Sequence, residues 1–235
     1  MNSRLFKEHL ADALDGMDWE RRQALAGHGI GRRAEIRAGG IGWARVYQCF
    51  YGQFDFPDDG DPRGFDAVVI GAWSSLFEAP GRREGADALC LRDYEAMPDL
   101  IDLVAWNPEI PHNWLLYAGL ADWLGEQHAR NAIWGDEDGA HPDLRLNASP
   151  LSWLRTGCEG AVLLHQPNPR RNLEMPLRDR LMGVERVVCD DAEHADAVYA
   201  SLRKRGPLPK VPKVYRVREP GDGSRKMEDL SARAE

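Results

Sequence analysis

Apolar positions recur with two different periods along this chain, and the change of period divides it. Leu5, Phe6, His9, Leu10 and Ala13 share one face at helical spacing, with Asn2 or Ser3 available as a cap, so the chain opens on a helix that Gly16 interrupts. "DWERRQALAG" predicts a second short helix, with Asp18 as its N-cap and Gly27 just past its end. The glycine-studded "GHGIGRRAEIRAGGIGWA" comes after a helix and before a strand-like run. A loop that cradles phosphate needs its glycines between a strand and a helix, so this stretch predicts a plain connector. "GWARVYQCFYGQFDF" and "FDAVVIGAW" are rich in aromatic and branched residues and predict an antiparallel pair. Between them Asp58, Asp59 and Asp61 surround Gly60, as acids surround the glycine of a calcium loop. The alternating acids before the glycine and the closing glutamate are missing, which leaves an acidic hairpin turn.

"GRREGADALCLRDYEAMP" fits neither period, whereas "DLIDLVAW" predicts a buried strand that the loop "NPEIPHN" breaks off. "GLADWLGEQHARNAI" has a helical pattern through Leu120, Trp123, Leu124 and Ala129. Beyond it the pattern becomes regular. "DLRLN" reads as a strand, and Ser149 caps a helix with Pro150 at its first position and Gly157 at its close. "GAVLLH" is a strand, "MPLRDRLMG" a short helix, "ERVVCD" a strand and "DAEHADAVYASLRKR" a final helix. Three alternations of strand and helix predict parallel strands joined by right-handed crossovers. The chain therefore reads as α/β, with an antiparallel hairpin in its first half and a βαβαβα layer in its second. The expected divisions are helices over 1–30, a mainly antiparallel β subdomain over 31–112, an α/β subdomain over 113–205 and a flexible basic tail over 206–235. Within that tail "KVYRVR" is the exception, able to add as a strand to a sheet edge.

Composition narrows the classes. With 235 residues and 43% hydrophobic content the chain can bury a substantial core. No apolar stretch has the length of a signal peptide or a membrane span, which predicts a soluble protein of the cytoplasm with no membrane partner. Cys49, Cys90, Cys158 and Cys189 form no CxxC pair and suggest neither a zinc ribbon nor a disulfide framework. Cys189 ends an apolar run and reads as a buried thiol; Cys158, in "RTGCEG", is the one candidate nucleophile, without an identifiable base. The net charge of −8 conceals an asymmetry: from Arg203 onward ten Lys or Arg stand against five Asp or Glu, a balance of +5 that leaves −13 on residues 1–202. An acidic body binds nucleic acid poorly, so any such contact should run through residues 203–218.

Candidate chemistry gathers where parallel strands would end. Asn147 and Ser149, His165 with Gln166 and Asn168, and Asp190 with Asp191 fall at those ends, and His194 lies one helical turn on. His165, Asp190, Asp191 and His194 are the candidates for catalysis, and Asp190 with Asp191 for a divalent metal, the one cofactor considered. Arg170 and Arg171 could hold a phosphate or carboxylate. A structural reading competes: with Asp190 as N-cap, Glu193 has capping-box spacing, Asp191 suits the helix dipole, and Ala195, Val198, Tyr199 and Leu202 form the buried stripe. The structural reading has the stronger claim, because caps far outnumber sites. For binding, the candidates are Trp106 and Trp114 in the aromatic stretch that also holds Tyr117, Trp123 and Trp134, and Lys210, Lys213, Arg216 and Arg218 in the tail, although core and interface filling has the stronger claim on the aromatics because large aromatics are mostly buried.

The last strand and helix resemble the metal-binding part of a Toprim domain, where an Asp-x-Asp pair holds magnesium for phosphoryl transfer; here the position two after Asp190 is Ala192, so the pair is broken. "DLIDLVAWNPEIPHNWLLYAGLADWLG" and "ASPLSWLRTGCEGAVLL" together resemble a family of uncharacterised proteins of proteobacterial prophages and integrated elements, over roughly residues 95–205. That resemblance implies a mobile-element setting and no activity. The expected function is a non-catalytic binding or accessory protein with a protein partner. The alternatives are a metal-dependent phosphoryl-transfer or hydrolytic enzyme using Asp190 and Asp191, and a single-strand nucleic-acid binder using the tail and tryptophans.

Overall fold

The computed structural model describes residues 3–49, 52–58, 61–75, 98–164, 177–203, 213–218 and 226–229. It is an α/β chain whose strands fall into two sheets and a short ribbon. The elements in order are α1 (Ser3–Asp15), α2 (Trp19–Gly27), α3 (Arg32–Arg37), β1 (Gly42–Gln48), β2 (Phe54–Asp55), β3 (Phe65–Trp73), β4 (Leu100–Trp106), β5 (Trp114–Leu116) and β6 (Trp123–Leu124). They continue through α4 (Glu126–Trp134), β7 (Leu144–Leu146), α5 (Pro150–Arg155), β8 (Val162–Leu163), α6 (Leu177–Arg180), β9 (Arg186–Cys189), α7 (Ala192–Arg203), β10 (Lys213–Arg218) and β11 (Lys226–Asp229). Among the described residues no helix is long and apolar enough to cross a membrane.

The first sheet is antiparallel in the order β2-β1-β3-β4-β5. It curls until its edges meet, with a bridge between Gln53 and Leu116 and the Leu116 N–H donating to Gly52 O at 2.9 Å. Both faces of β3 and β4 are buried, so the period-2 alternation sends neighbouring residues into different cores. Ala67, Val69, Leu103 and Ala105 meet Phe6, Leu10 and Ala13 of α1. Val68, Ile70, Val104 and Trp106 meet Leu25 of α2, Ala34 of α3 and Leu151, Trp153 and Leu154 of α5. The N-terminal helices thus belong to the walls of this sheet, and the antiparallel pairing runs on through Leu116, past residue 112.

A ribbon of β6 and β8 couples this part to the second sheet by the same alternation. Leu124, Val162 and Leu164 enter the core shared with the first sheet, while Trp123, Ala161 and Leu163 enter the core of the second. The second sheet has the order β11-β10-β9-β7, parallel from β7 through β10 and antiparallel at β11. Leu144 and Leu146 of β7, Val187 and Cys189 of β9 and Val214 of β10 pack there on Ala195, Val198 and Leu202, the buried stripe of α7.

Three sequence expectations need correction. The glycine-studded connector contains α3, short and polar outside but anchored by the fully enclosed Ala34. "GLADWLGEQHARNAI" is not one helix: Trp123 and Leu124 are strand, and the helix starts after Gly125, since Asp122 and Leu124 pair outward to β8 rather than onward along the chain. "GAVLLH" does not join the parallel sheet. Ala161 takes one parallel bridge to Leu146, with its N–H on Arg145 O at 2.8 Å, and then the chain leaves for β6. The pivot is Gly160 at φ +80, where a Cβ would stand 2.2 Å from Arg145 O. Its place in the sheet is taken by β10, the tail segment "KVYRVR", which pairs parallel to β9 from Lys213–Arg186 to Arg216–Cys189.

Asp102, inside the otherwise apolar β4, is fully buried. Its carboxylate accepts the N–H groups of Leu103 and Ala118 at 2.8 Å, Leu120 at 2.6 Å and Ala121 at 3.3 Å. Ala118, Leu120 and Ala121 belong to the loop that carries the chain from β5 to β6, so one side chain folds that loop onto the sheet. Asp102→Ala should strand several buried N–H groups and cost on the order of 3 kcal/mol or more in urea denaturation, with Asp102→Asn less damaging because one acceptor oxygen remains. A loss below about 1 kcal/mol for the alanine variant would show that the loop does not depend on this carboxylate.

Candidate functional site

The C-terminal ends of β7 and β9 lie side by side, and there the structure brings together Asn147, Ala148, Ser149, Ser152, Asp190, Asp191 and His194. Ser149 caps α5: its hydroxyl accepts the Ser152 N–H at 3.2 Å, and the Ser152 hydroxyl accepts the Ser149 N–H at 3.0 Å, a reciprocal box with Pro150 at the first helical position. At the other strand end the cap is Asp191, not Asp190. Asp191 Oδ1 accepts the His194 N–H at 2.7 Å, and its carbonyl accepts the Ala195 N–H at 3.1 Å. The cap expected at Asp190 is therefore displaced by one residue, without a reciprocal box, because Asp190 and the His194 ring are engaged with each other.

Asp190 spans the two strand ends. Its Oδ2 accepts the Ala148 N–H at 3.0 Å, from the loop between β7 and α5. Its Oδ1 lies 2.8 Å from Nδ1 of His194, one turn along α7. Burial raises the Asp190 pKa, but the His194 hydrogen bond, the Ala148 N–H, the His194 charge and the Ser152 hydroxyl together outweigh it and hold the carboxyl at about 2. An ionised Asp190 is an acceptor only, so the proton between the two side chains sits on Nδ1 and the basic nitrogen of a neutral ring is Nε2. That orientation could serve a histidine base. Among the described residues, however, no serine or cysteine hydrogen-bonds Nε2, and Ser152 donates to Ser149 O at 2.9 Å.

The remaining candidates scatter. Asn147 donates from Nδ2 to Glu159 O at 2.9 Å and to Ala161 O at 3.4 Å, joining β7 to the approach of β8. Its buried Oδ1 has no partner among the described residues. His165, Gln166, Asn168, Arg170, Arg171 and Lys210 lie outside the described residues. Lys213, Arg216 and Arg218 are placed along β10, within the second sheet. Among the described residues no group of three or more His, Cys, Asp or Glu side chains is gathered as metal ligands would be. The connection from β7 to the Ala161 bridge leaves on one side of β7 and β9 lies on the other, so the ends of β7 and β9 stand at a reversal of strand order, where the Asp190 and Asp191 carboxylates are engaged by Ala148 and His194.

Neither described buried cysteine has the surroundings of a nucleophile. Burial pushes the Cys158 thiol up to about 12 against the opposing effect of Arg37, and its Sγ faces Ala34 O at 3.4 Å. Burial, with Asp190 and Asp191 adding to it, pushes Cys189 to about 12 as well.

Most of the aromatic stretch is taken up by the core, including the candidate binding residue Trp106. Trp106, a candidate binding residue, is fully enclosed because it stands on the β4 face covered by α5 and the ribbon. Trp114 is half-buried and donates from Nε1 to Leu164 O at 3.3 Å, a strut between β5 and the end of β8. Trp123 is buried too. Trp134, the last residue of α4, is 80% exposed, and Met182, in the turn after α6, is 70% exposed. Gly183 seats this turn against α4: at φ +98 it comes so close that a Cβ would stand 2.8 Å from Ile133 O. Trp134 and Met182 each lie one residue from that contact, so their Cα atoms are within about 11 Å. Sequence reading passed over this face, since Met182 carries no signal in a nine-residue segment and Trp134 looks like its buried neighbours. Comparison with protein-family models, curated proteins and solved structures returns no match.

The depressed Asp190 pKa makes stability depend on pH. From the ordinary value of 3.8 to about 2 is a stabilisation on the order of 2 kcal/mol, complete above the unfolded-state pKa and lost as pH falls through the folded one. Wild-type unfolding free energy should therefore drop between about pH 4 and about pH 2, and Asp190→Asn should lack that drop while being less stable at neutral pH. Parallel pH profiles for the two proteins would show that Asp190 does not tie the strand ends.

Proposed function

We propose that the chain is a non-catalytic binding or accessory protein that works through protein–protein contact, and that its contact face carries Trp134 and Met182. The observation that carries this reading is the exposure of these two large apolar side chains on neighbouring, well-braced backbone. Water-exposed tryptophan forgoes the burial that dominates its energetics, and tryptophan is among the residues that most often anchor protein interfaces. The support beneath it is ordered. The Asp136 carboxylate accepts the N–H groups of Asp138 at 3.1 Å and Ala140 at 2.8 Å, the Asp136 N–H donates to Ala140 O at 2.8 Å, and His141 Nδ1 lies 3.3 Å from Ala132 O. A braced surface loses little conformational freedom on binding. The alternative enzymatic reading has less behind it, because the Asp190 and Asp191 carboxylates are engaged by Ala148, by the His194 ring and by the His194 amide. The mobile-element setting and the cytoplasmic location belong to this proposal as expectations from sequence.

A photo-crosslinking amino acid at position 134 tests it in the source cell. The expected product is an adduct with a specific protein that, once purified, binds the wild type and binds Trp134→Ala about tenfold or more weakly, at unchanged thermal midpoint. Adducts with nucleic acid alone, or equal binding by Trp134→Ala, would overturn the reading.

A further inference from the structure

Resting on that contact face, we infer that its occupant is a cationic protein segment, one that sets an apolar side chain against Trp134 and Met182 and lysines or arginines against the acids around them. Acids predominate directly after Trp134, while around Met182 acids and arginines alternate. Asp136, Glu137 and Asp138 follow Trp134 directly, and Asp179 and Glu185 bracket Met182. Glu137, Asp138, Asp179 and Glu185 are exposed.

The described cations nearby already face carboxylates. Arg180 is nearly buried and pairs with Asp122 at 2.5 Å, and Arg186 pairs with Asp143 at 2.7 Å. Arg130, one helical turn before Trp134, stands at i+4 from Glu126 and acts on it electrostatically. Among the described residues no cation forms an ion pair with Glu137, Asp138, Asp179 or Glu185, whereas the Asp136 carboxylate is held by the Asp138 and Ala140 N–H groups.

This arrangement discriminates among occupants. A second copy would set one acid-ringed face against another, and like charges opposed at an interface cost affinity and slow encounter. An acidic segment meets the same repulsion, increased by the −13 carried by residues 1–202. A basic segment is drawn toward the face, can place a lysine or arginine over the Trp134 ring, and finds in Met182 a side chain that adapts to varied apolar shapes.

Calorimetric titration of the full chain with three synthetic peptides tests this: one alternating lysine and leucine, one with glutamate in place of lysine, and one with serine in place of leucine. The lysine–leucine peptide should bind about tenfold or more tightly than either of the others, and weaken as salt is raised. Trp134→Ala should abolish most of that preference, and Glu137→Gln with Asp138→Asn should reduce both affinity and salt response. If affinity depends on Trp134 but not on peptide charge, salt or the two acids, the cationic occupant is wrong while the contact face stands. If the lysine–leucine peptide binds Trp134→Ala as well as wild type, or if none of the peptides binds, the assignment of this occupant to this face falls. Self-association of the wild type that Trp134→Ala removes would make a second copy the occupant and overturn the inference.

Discussion

The carboxylate of Asp102 is the constraint on which the path of the chain depends. A charged group enclosed in a β-sheet is tolerable only if its hydrogen-bonding capacity is met inside the protein. Here four backbone N–H groups meet it, and apart from that of Leu103 they come from residues 118–121. That loop turns the chain out of the antiparallel sheet toward β6 and α4. Everything after it, including the ribbon and the second sheet, starts from a direction imposed by one side chain.

The ribbon then transmits order between cores. Because adjacent strand residues face opposite ways, Trp123 and Leu124 belong to different clusters, as do Val162 and Leu163. Two residues per strand are enough to weld the halves, since each side chain is enclosed by a separate group of neighbours. Tryptophans reinforce the weld through their indole N–H groups: Trp114 donates to Leu164 O at 3.3 Å and Trp153 to Gly160 O at 3.1 Å. At the far side Asp190 performs for β7 and β9 what Asp102 does for β4 and the loop, one carboxylate satisfied by backbone and histidine together.

Asp190 and Asp191, which look most like chemistry in sequence, are engaged in hydrogen bonds that hold backbone, while large apolar side chains stand exposed elsewhere. The strand-end aspartates complete backbone hydrogen bonds, whereas Trp134 and Met182 stand exposed on braced turns with acids beside them. The proposed contact face consists of what is left over after the core is packed. It is visible only when the enclosed and the unenclosed aromatics can be told apart.

Sequence by itself determined the local elements wherever a pattern closes within a few residues. The helical stripe of α1, the Asp18 and Ser149 caps, the strands over "FDAVVIGAW" and "DLIDLVAW", and the Ala195–Val198–Leu202 face of α7 are all legible, because caps and periods are local physics. Asp102 left a legible trace as the lone charge in an apolar run, yet its partners lie 16 to 19 positions onward and no period points to them. Which aspartate caps α7 was decided by Ala148, 42 positions away, which draws Asp190 off and leaves Asp191 to the helix. The replacement of β8 by β10 in the parallel sheet and the contrast between enclosed Trp106 and exposed Trp134 were likewise decided only in three dimensions. The same residue types occur in both roles, and enclosure is a property of neighbours brought together by the fold.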